Sequence, residues 1–302
     1  MSYVPTTPVH STIDLPDGAK LAYEILGSQY LGVHQPLVLI GGMSSRRSDW
    51  ERLSTSLADV RPVLLFDHRG MGDSHLSPGE DETITIELMA RDLLRLLEHL
   101  QWRNLSICGF SMGGVIAQQL LFLPYHRTDP TPLSFRVTHT ILAGTLCSVL
   151  IDKRFGLPVV KKAPTGHLTI EQKREIARPT LVATFDPAWM ADPANSERFD
   201  RLLGRMLDRI DFDGYHEKLS QDINFLVIHG EADEVVPYYC GLEILQRIPW
   251  AREVEIGDAP GQVKNYAFGH HWHEYFDIKV WHDVVEGFLG EPKNGSRTAA
   301  HL

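Results

Sequence analysis

The sequence predicts an α/β fold: a doubly wound, mostly parallel sheet with a helical cap inserted into it. Three observations carry that expectation. Short apolar runs at 37–40, 63–66, 104–108, 136–143 and 223–228 read as strands buried on both faces. They alternate with helix-patterned stretches, as in a parallel sheet covered on both sides. The alternation breaks near Cys147 and returns only at Ile223, with helix-patterned sequence between. The expected organisation is a core over 11–146, a helical cap over 147–221, the second part of the core over 222–290 and a polar tail over 291–302.

In chain order, residues 1–10 read as a loose arm. A β-hairpin follows, with arms at 13–15 and 20–26 and a turn at Asp17-Gly18. The strand at 37–40 ends at Gly41-Gly42-Met43-Ser44-Ser45. Ser48-Asp49-Trp50-Glu51 has capping-box spacing and predicts a helix to about residue 57. The strand at 61–66 leads into Asp67-His68-Arg69-Gly70-Met71-Gly72-Asp73-Ser74. Over 85–100, Leu88, Met89, Leu93, Leu96, Leu97 and Leu100 recur at helical spacing. The next strand turns at Gly109-Phe110-Ser111-Met112-Gly113 into a helix that stops before Pro124, because proline cannot continue it. Within the insertion, helices are expected at 169–177 and at 195–210, the second carrying Phe199, Leu202, Leu203, Met206, Leu207 and Ile210 on one face. After the strand at 223–228 come a helix over 238–247, a last strand over 252–256, a loop over 257–269 and a closing helix to about residue 289. The tail from Pro292 is polar and reads as disordered.

Length, charge and cysteine content narrow the function classes. A chain of 302 residues, 43% hydrophobic, suffices for one α/β domain with an insertion. The formal charge of -10, from 39 acidic and 29 basic residues with no basic patch, argues against nucleic acid as a partner. Cys108, Cys147 and Cys240 are too few and too far apart for a disulfide framework or a zinc site. No apolar leader and no apolar run approaching about 20 residues is found, so the expectation is a cytoplasmic protein without a membrane association.

The chemistry points to Ser111. A serine at a glycine-flanked strand-to-helix corner projects from the sheet edge, and the free N–H groups of the following helix favour any anion formed there. This G-x-S-x-G corner, with the strand before it and the helix after it, resembles the nucleophile elbow of the α/β-hydrolase fold. The resemblance extends over residues 13–290 and implies a chain order of serine, acid, histidine. It makes Ser111 the nucleophile. It makes His270 the base, because a Gly-His pair follows the last strand, with His271 next to it as the competitor; His273 reads as a packing or surface residue. It makes Asp233 the orienting acid, in Gly230-Glu231-Ala232-Asp233, with Glu231, Glu234 and Asp258 as competitors. A helix-capping role for Asp233 and a metal site from the clustered histidines are the alternatives, the latter lacking an accompanying acidic or cysteine ligand set. The oxyanion hole would use the amides of Met112 and Met43, with Gly42 as second choice. Relatives usually read His-Gly at the start of this loop, where this chain has Gly41-Gly42. The stretch is also not the Gly-Gly-Pro-Gly of proline iminopeptidases. Asp67-x-Arg69-Gly70-x-Gly72-x-Ser74 resembles another family stretch and reads as structural.

The cap supplies Trp189 and Met190, together with Phe185 and Leu157, as candidate pocket walls. Gly42 is expected among the substrate-binding residues together with Trp189 and Met190. The expectation is therefore a serine hydrolase that cleaves a carboxylic ester or lactone of a small, largely apolar substrate, without cofactor or metal. The same residues serve carbon–carbon bond hydrolysis and other acyl transfers in the family, and the same scaffold serves ligand receptors.

Overall fold

The computed structural model describes residues 9–78, 84–148, 150, 154–155, 212 and 214–292. The sheet has eight strands: β1 (Val9–Asp14), β2 (Lys20–Leu26), β3 (Leu37–Ile40), β4 (Val63–Phe66), β5 (Asn104–Phe110), β6 (Arg136–Ala143), β7 (Asn224–Ile228) and β8 (Arg252–Glu253). Their order across the sheet is β1-β2-β4-β3-β5-β6-β7-β8. The β1–β2 and β2–β4 pairs are antiparallel, and every pair from β4 onward is parallel. Among the described residues the α-helices are α1 (Glu51–Ala58), α2 (Ile86–Leu100), α3 (Met112–Phe122), α4 (Tyr238–Arg247) and α5 (Ile278–Leu289).

The strand runs explain the two-sided cover. Alternate residues point to opposite faces, so Val38 and Ile40 join a core built with α2, α3 and α4, while Leu37 and Leu39 join one built with α1 and α5. β5 does the same, with Leu105 and Ile107 on the first face and Cys108 and Phe110 on the second. Trp281 and Phe288 of α5, each 1% exposed or less, anchor the second face; burying a side chain of that class contributes about 1.5–3 kcal/mol.

Helix ends follow local chemistry. Thr85 Oγ1 accepts from the Leu88 N–H at 3.1 Å to start α2, and Asp277 accepts from the Lys279 N–H at 2.8 Å to start α5. α1 starts differently from the sequence expectation. A 3-10 turn over Arg47–Trp50 precedes it, and the Asp49 carboxylate accepts from the Arg46 N–H at 2.9 Å; Ser48 lies inside the turn and is not the cap. Asp49 wins because three residues separate it from a backbone N–H with no helical partner. β1 begins at Val9, earlier than expected. β8 is only two residues long, with Ile256 held to Val263 by a lone bridge and 53% exposed.

α3 lies against the end of β3. A Cβ on Gly113 would overlap the Ile40 carbonyl oxygen and stand 2.6 Å from that of Gly41, so only glycine permits this approach. The expected cap helices, the pocket residues Trp189, Met190, Phe185 and Leu157, the first eight residues of the arm and the tail beyond Pro292 lie outside the described residues. Among the described residues, no helix is long and apolar enough to cross a membrane.

Candidate active site

Parallel strands leave their C-terminal ends on one edge, and that edge gathers the residues singled out above. Ser111 follows β5 with φ 53° and ψ −123°, a conformation that costs a non-glycine residue about 1–3 kcal/mol. The surroundings over-determine it. Its N–H donates to the Ala143 carbonyl at 2.9 Å, and its carbonyl accepts from Thr145 Oγ1 at 2.6 Å and from the Gly114 N–H at 2.9 Å.

His270 reaches this serine from the loop before α5. Its Nε2 lies 3.0 Å from Ser111 Oγ, and its Nδ1 lies 2.8 Å from Asp233 Oδ2. Asp233 sits in the turn after β7 with its side chain 1% exposed. Its Oδ1 accepts from the Val235 and Val236 N–H groups, both at 2.9 Å. The carboxylate therefore holds its own turn through Oδ1 and the imidazole through Oδ2; it does not cap α4, whose N-cap is Pro237 without a side-chain bond. An ionised carboxylate only accepts, so His270 carries its proton on Nδ1 and presents a bare Nε2 to the serine hydroxyl.

The other candidates make no contact in this relay, although the His271 ring lies 5.9 Å from that of His270. Glu231, Glu234, Asp258 and His271 are exposed. His273 is buried and stacks on Trp50 with ring centroids 5.1 Å apart. Asp67 accepts from the backbone N–H groups of Arg47 and Asp73 and from the Arg47 guanidinium. Among the described residues, no three His, Cys, Asp or Glu side chains converge as a metal-binding group.

The two amides named as donors adjoin the serine: Met112 follows Ser111, and Met43 follows Gly42. Met112 opens α3, so its N–H has no carbonyl one turn back to bond. Met43 lies in the turn closed by the Ser45 N–H to Gly42 carbonyl bond, and among the described residues its own N–H meets no backbone carbonyl. Gly42 is buried against the serine: a Cβ there would stand 3.1 Å from Ser111 Cβ.

Sequence reasoning passed over the groups that support this set. His229, the residue after β7, has its Nε2 2.8 Å from the Val236 carbonyl and 3.6 Å from Asp233 Oδ2. That carbonyl fixes the proton on Nε2, and burial pushes the imidazole below its ordinary pKa, so it packs beside Asp233 as a neutral ring. Thr145 follows β6 and braces the serine's carbonyl. A polar residue within two positions of the end of an apolar strand was the available signal in both cases.

Behind the elbow, Gln118 on α3 is fully buried. Its amide nitrogen donates to the Gly114 and Leu146 carbonyls, both at 3.0 Å, which leaves its oxygen to accept from His216 Nε2 at 2.9 Å. Burial drives the His216 pKa down from 6.5 to about 4. The folded form therefore refuses a proton that the unfolded chain accepts below about pH 6.5, and stability falls as pH drops from there to about 4. The limiting slope is about 1.4 kcal/mol per pH unit for one such group. Replacing His216 by Gln removes this contribution. Denaturant melts at pH 7, 6 and 5 are expected to show a shallower loss of stability in His216→Gln than in the parent; identical slopes would refute the assignment.

A family model described as "Alpha/beta hydrolase family" matches residues 37–276. The putative carbamate hydrolase RutD of Azorhizobium caulinodans is 24% identical over 278 residues, covering 90% of this chain and 96% of that protein. A proline iminopeptidase of Lactobacillus crispatus is 28% identical over 177 residues, 57% of this chain and 55% of its own length, a likeness the 41–45 stretch does not announce. The solved structure of the esterase EaEST from Exiguobacterium antarcticum superposes with a TM-score of 0.63 at 19% identity, covering 94% of this chain and 100% of that one. The matched span runs from β3 through the loop that carries His270, and with it this chain belongs to the α/β-hydrolase family.

Proposed function

We propose that the protein is a serine hydrolase that cleaves a carboxylic ester or lactone of a small, largely apolar substrate through an acyl-enzyme. The observation that carries this reading is the unbroken relay from Asp233 through His270 to Ser111, with spacings of 2.8 and 3.0 Å. His270 Nε2 takes the hydroxyl proton as Ser111 Oγ attacks the carbonyl carbon. Asp233 stabilises the imidazolium that results. The amides of Met43 and Met112 receive the tetrahedral oxyanion. As the intermediate collapses, the carbon–oxygen bond breaks and the alcohol leaves with the proton from His270. Water then repeats the sequence, and acid and free serine are released. No step calls on a cofactor.

The apolar character proposed for the substrate rests on the aromatic residues the sequence places in the cap. The relatives named for carbamate and peptide bonds share the family, and an ester is the proposed bond because its oxygen leaves more readily than the unprotonated nitrogen of an amide.

The test is pre-steady-state release of nitrophenolate from a p-nitrophenyl ester of a short fatty acid. A burst approaching one equivalent per chain, with the acyl group located on Ser111 by mass spectrometry, is the expected result. Ligand binding without any nitrophenolate release would instead mark a receptor on a hydrolase scaffold.

A further inference from the structure

His68 is buried, 3% exposed, at the end of β4, and the relay does not use it. Its Nε2 lies 2.9 Å from the Gly41 carbonyl oxygen. A carbonyl can only accept, so His68 Nε2 carries the proton and donates. The ring is held edge-on to Phe66, with centroids 5.1 Å apart and planes at 81°, and the His68 carbonyl accepts from the Met71 N–H at 2.9 Å. It is thus a fixed donor aimed at a loop.

That loop runs past the serine. A peptide group is planar and trans, so its C=O and N–H point in opposite directions. The bond from His68 to the Gly41 carbonyl sets the 41–42 peptide. The bond from the Ser45 N–H to the Gly42 carbonyl, at 3.3 Å, sets the 42–43 peptide and with it the direction of the Met43 N–H. Of the two, the first is the shorter and comes from outside the loop. Gly41 and Gly42 carry no side chains of their own to restrict this backbone.

We propose that His68 is a positioning residue for oxyanion binding: by donating to the Gly41 carbonyl, its imidazole fixes the 41–42 peptide from which the Gly42–Ser45 turn starts, so that this turn presents the Met43 N–H to the oxygen that becomes negative. The inference rests on the serine-hydrolase reading above and adds to it the device that orders one of its two donors. A preorganised donor acts on the transition state and much less on the ground state. Removing its support lowers kcat and leaves KM nearly unchanged.

The experiment compares the parent with His68→Leu and His68→Met, which cannot donate, and with His68→Gln, whose amide donates at similar reach. Three quantities are measured: kcat and KM for the p-nitrophenyl ester, the inhibition constant of a trifluoromethyl ketone that forms a tetrahedral oxyanion on the serine, and the thermal midpoint. Losing an oxyanion donor outright costs about 10²–10³ in kcat; loosening one is expected to cost about tenfold to a hundredfold. In the donor-free variants KM should stay within about threefold, and ketone affinity should fall in step with kcat/KM. His68→Gln should recover most of both.

Unchanged kcat, a loss of kcat without a loss of ketone affinity, or a Gln variant no better than Leu each overturns the role. If neither donor-free variant folds, His68 is a core residue and the proposal fails as well. Ser111→Ala, assayed alongside, separates the two readings. Turnover that survives in it removes the hydrolase mechanism. Turnover lost in it but unaltered in the donor-free variants removes only the role of His68.

Discussion

Ser111→Ala is expected to lower kcat/KM for the p-nitrophenyl ester by at least about 10⁴-fold while the protein stays folded. The substitution removes one oxygen, and with it the only atom able to form the acyl-enzyme. It leaves the backbone bonds to Ala143, Thr145 and Gly114 intact, and those bonds, not the hydroxyl, hold φ at 53°. Alanine bears the same strain there as serine, so the thermal midpoint should move little. Binding of substrate should persist, because the amides of Met43 and Met112 are untouched. The residual rate is what oriented amides alone provide. A variant that keeps turnover within about tenfold of the parent would place the nucleophile on another atom, and the mass-spectrometric adduct would then appear on another peptide.

Ser111 stands out in the sequence because its signature is local. The elbow needs glycine where strand and helix nearly touch, and Gly109 and Gly113 meet that need within five residues. The buried strands were legible for a similar reason: Leu37–Ile40 and Val63–Phe66 are apolar on both faces because helices cover both. Strand order was not legible. β4 lies between β2 and β3, and nothing in a period-two pattern says which neighbour a strand takes. β8 was read too long because Val254 and Ile256 look like strand residues, yet the chain leaves the β7 ladder after Glu253 and only Val254 is buried. The start of α1 was misplaced because Ser48 and Asp49 are adjacent and both suit a cap; only the backbone path decides which carboxylate or hydroxyl meets a free N–H.

The site shows the same division. Ser111, Asp233 and His270 could be named from flanking glycines and chain order, but their mutual distances depend on the ends of β5 and β7 and the loop before α5 meeting at one edge. His68 and Thr145 act through bonds to carbonyls far away in sequence and His229 through a bond to a carbonyl seven residues on, and a side-chain-to-backbone contact leaves no pattern along the chain. His68 in particular sits inside a stretch read as structural. The stretch does brace the fold, through Arg69 to Asp92 at 2.6 and 2.7 Å, while the histidine beside that arginine turns toward the Gly41 carbonyl instead.

Asp233→Asn should cost nearly as much as losing the serine, about 10⁴-fold in kcat, and the reason lies in two backbone amides. The Val235 and Val236 N–H groups both need an acceptor, and in the parent both find it in Oδ1. An asparagine at 233 must turn its carbonyl oxygen toward them, which leaves its NH2 in the place of Oδ2, facing His270 Nδ1. Two donors cannot share that contact, so the imidazole moves its proton to Nε2 and offers Nδ1 as acceptor. Nε2, 3.0 Å from Ser111 Oγ, then carries a proton and cannot take another. The geometry survives but the tautomer is wrong, so KM should change little and the fold should remain as stable as the hydrogen bonds to 235 and 236 make it. Asp233→Ala separates the two duties of the residue. It strands both N–H groups in a buried turn, at about 1–3 kcal/mol each, and is expected to lower stability as well as rate. Comparing kcat and denaturation midpoints of the two variants checks this directly. If the asparagine protein turns over within about tenfold of the parent, another group orients His270 and the relay through residue 233 is not the source of the serine's reactivity.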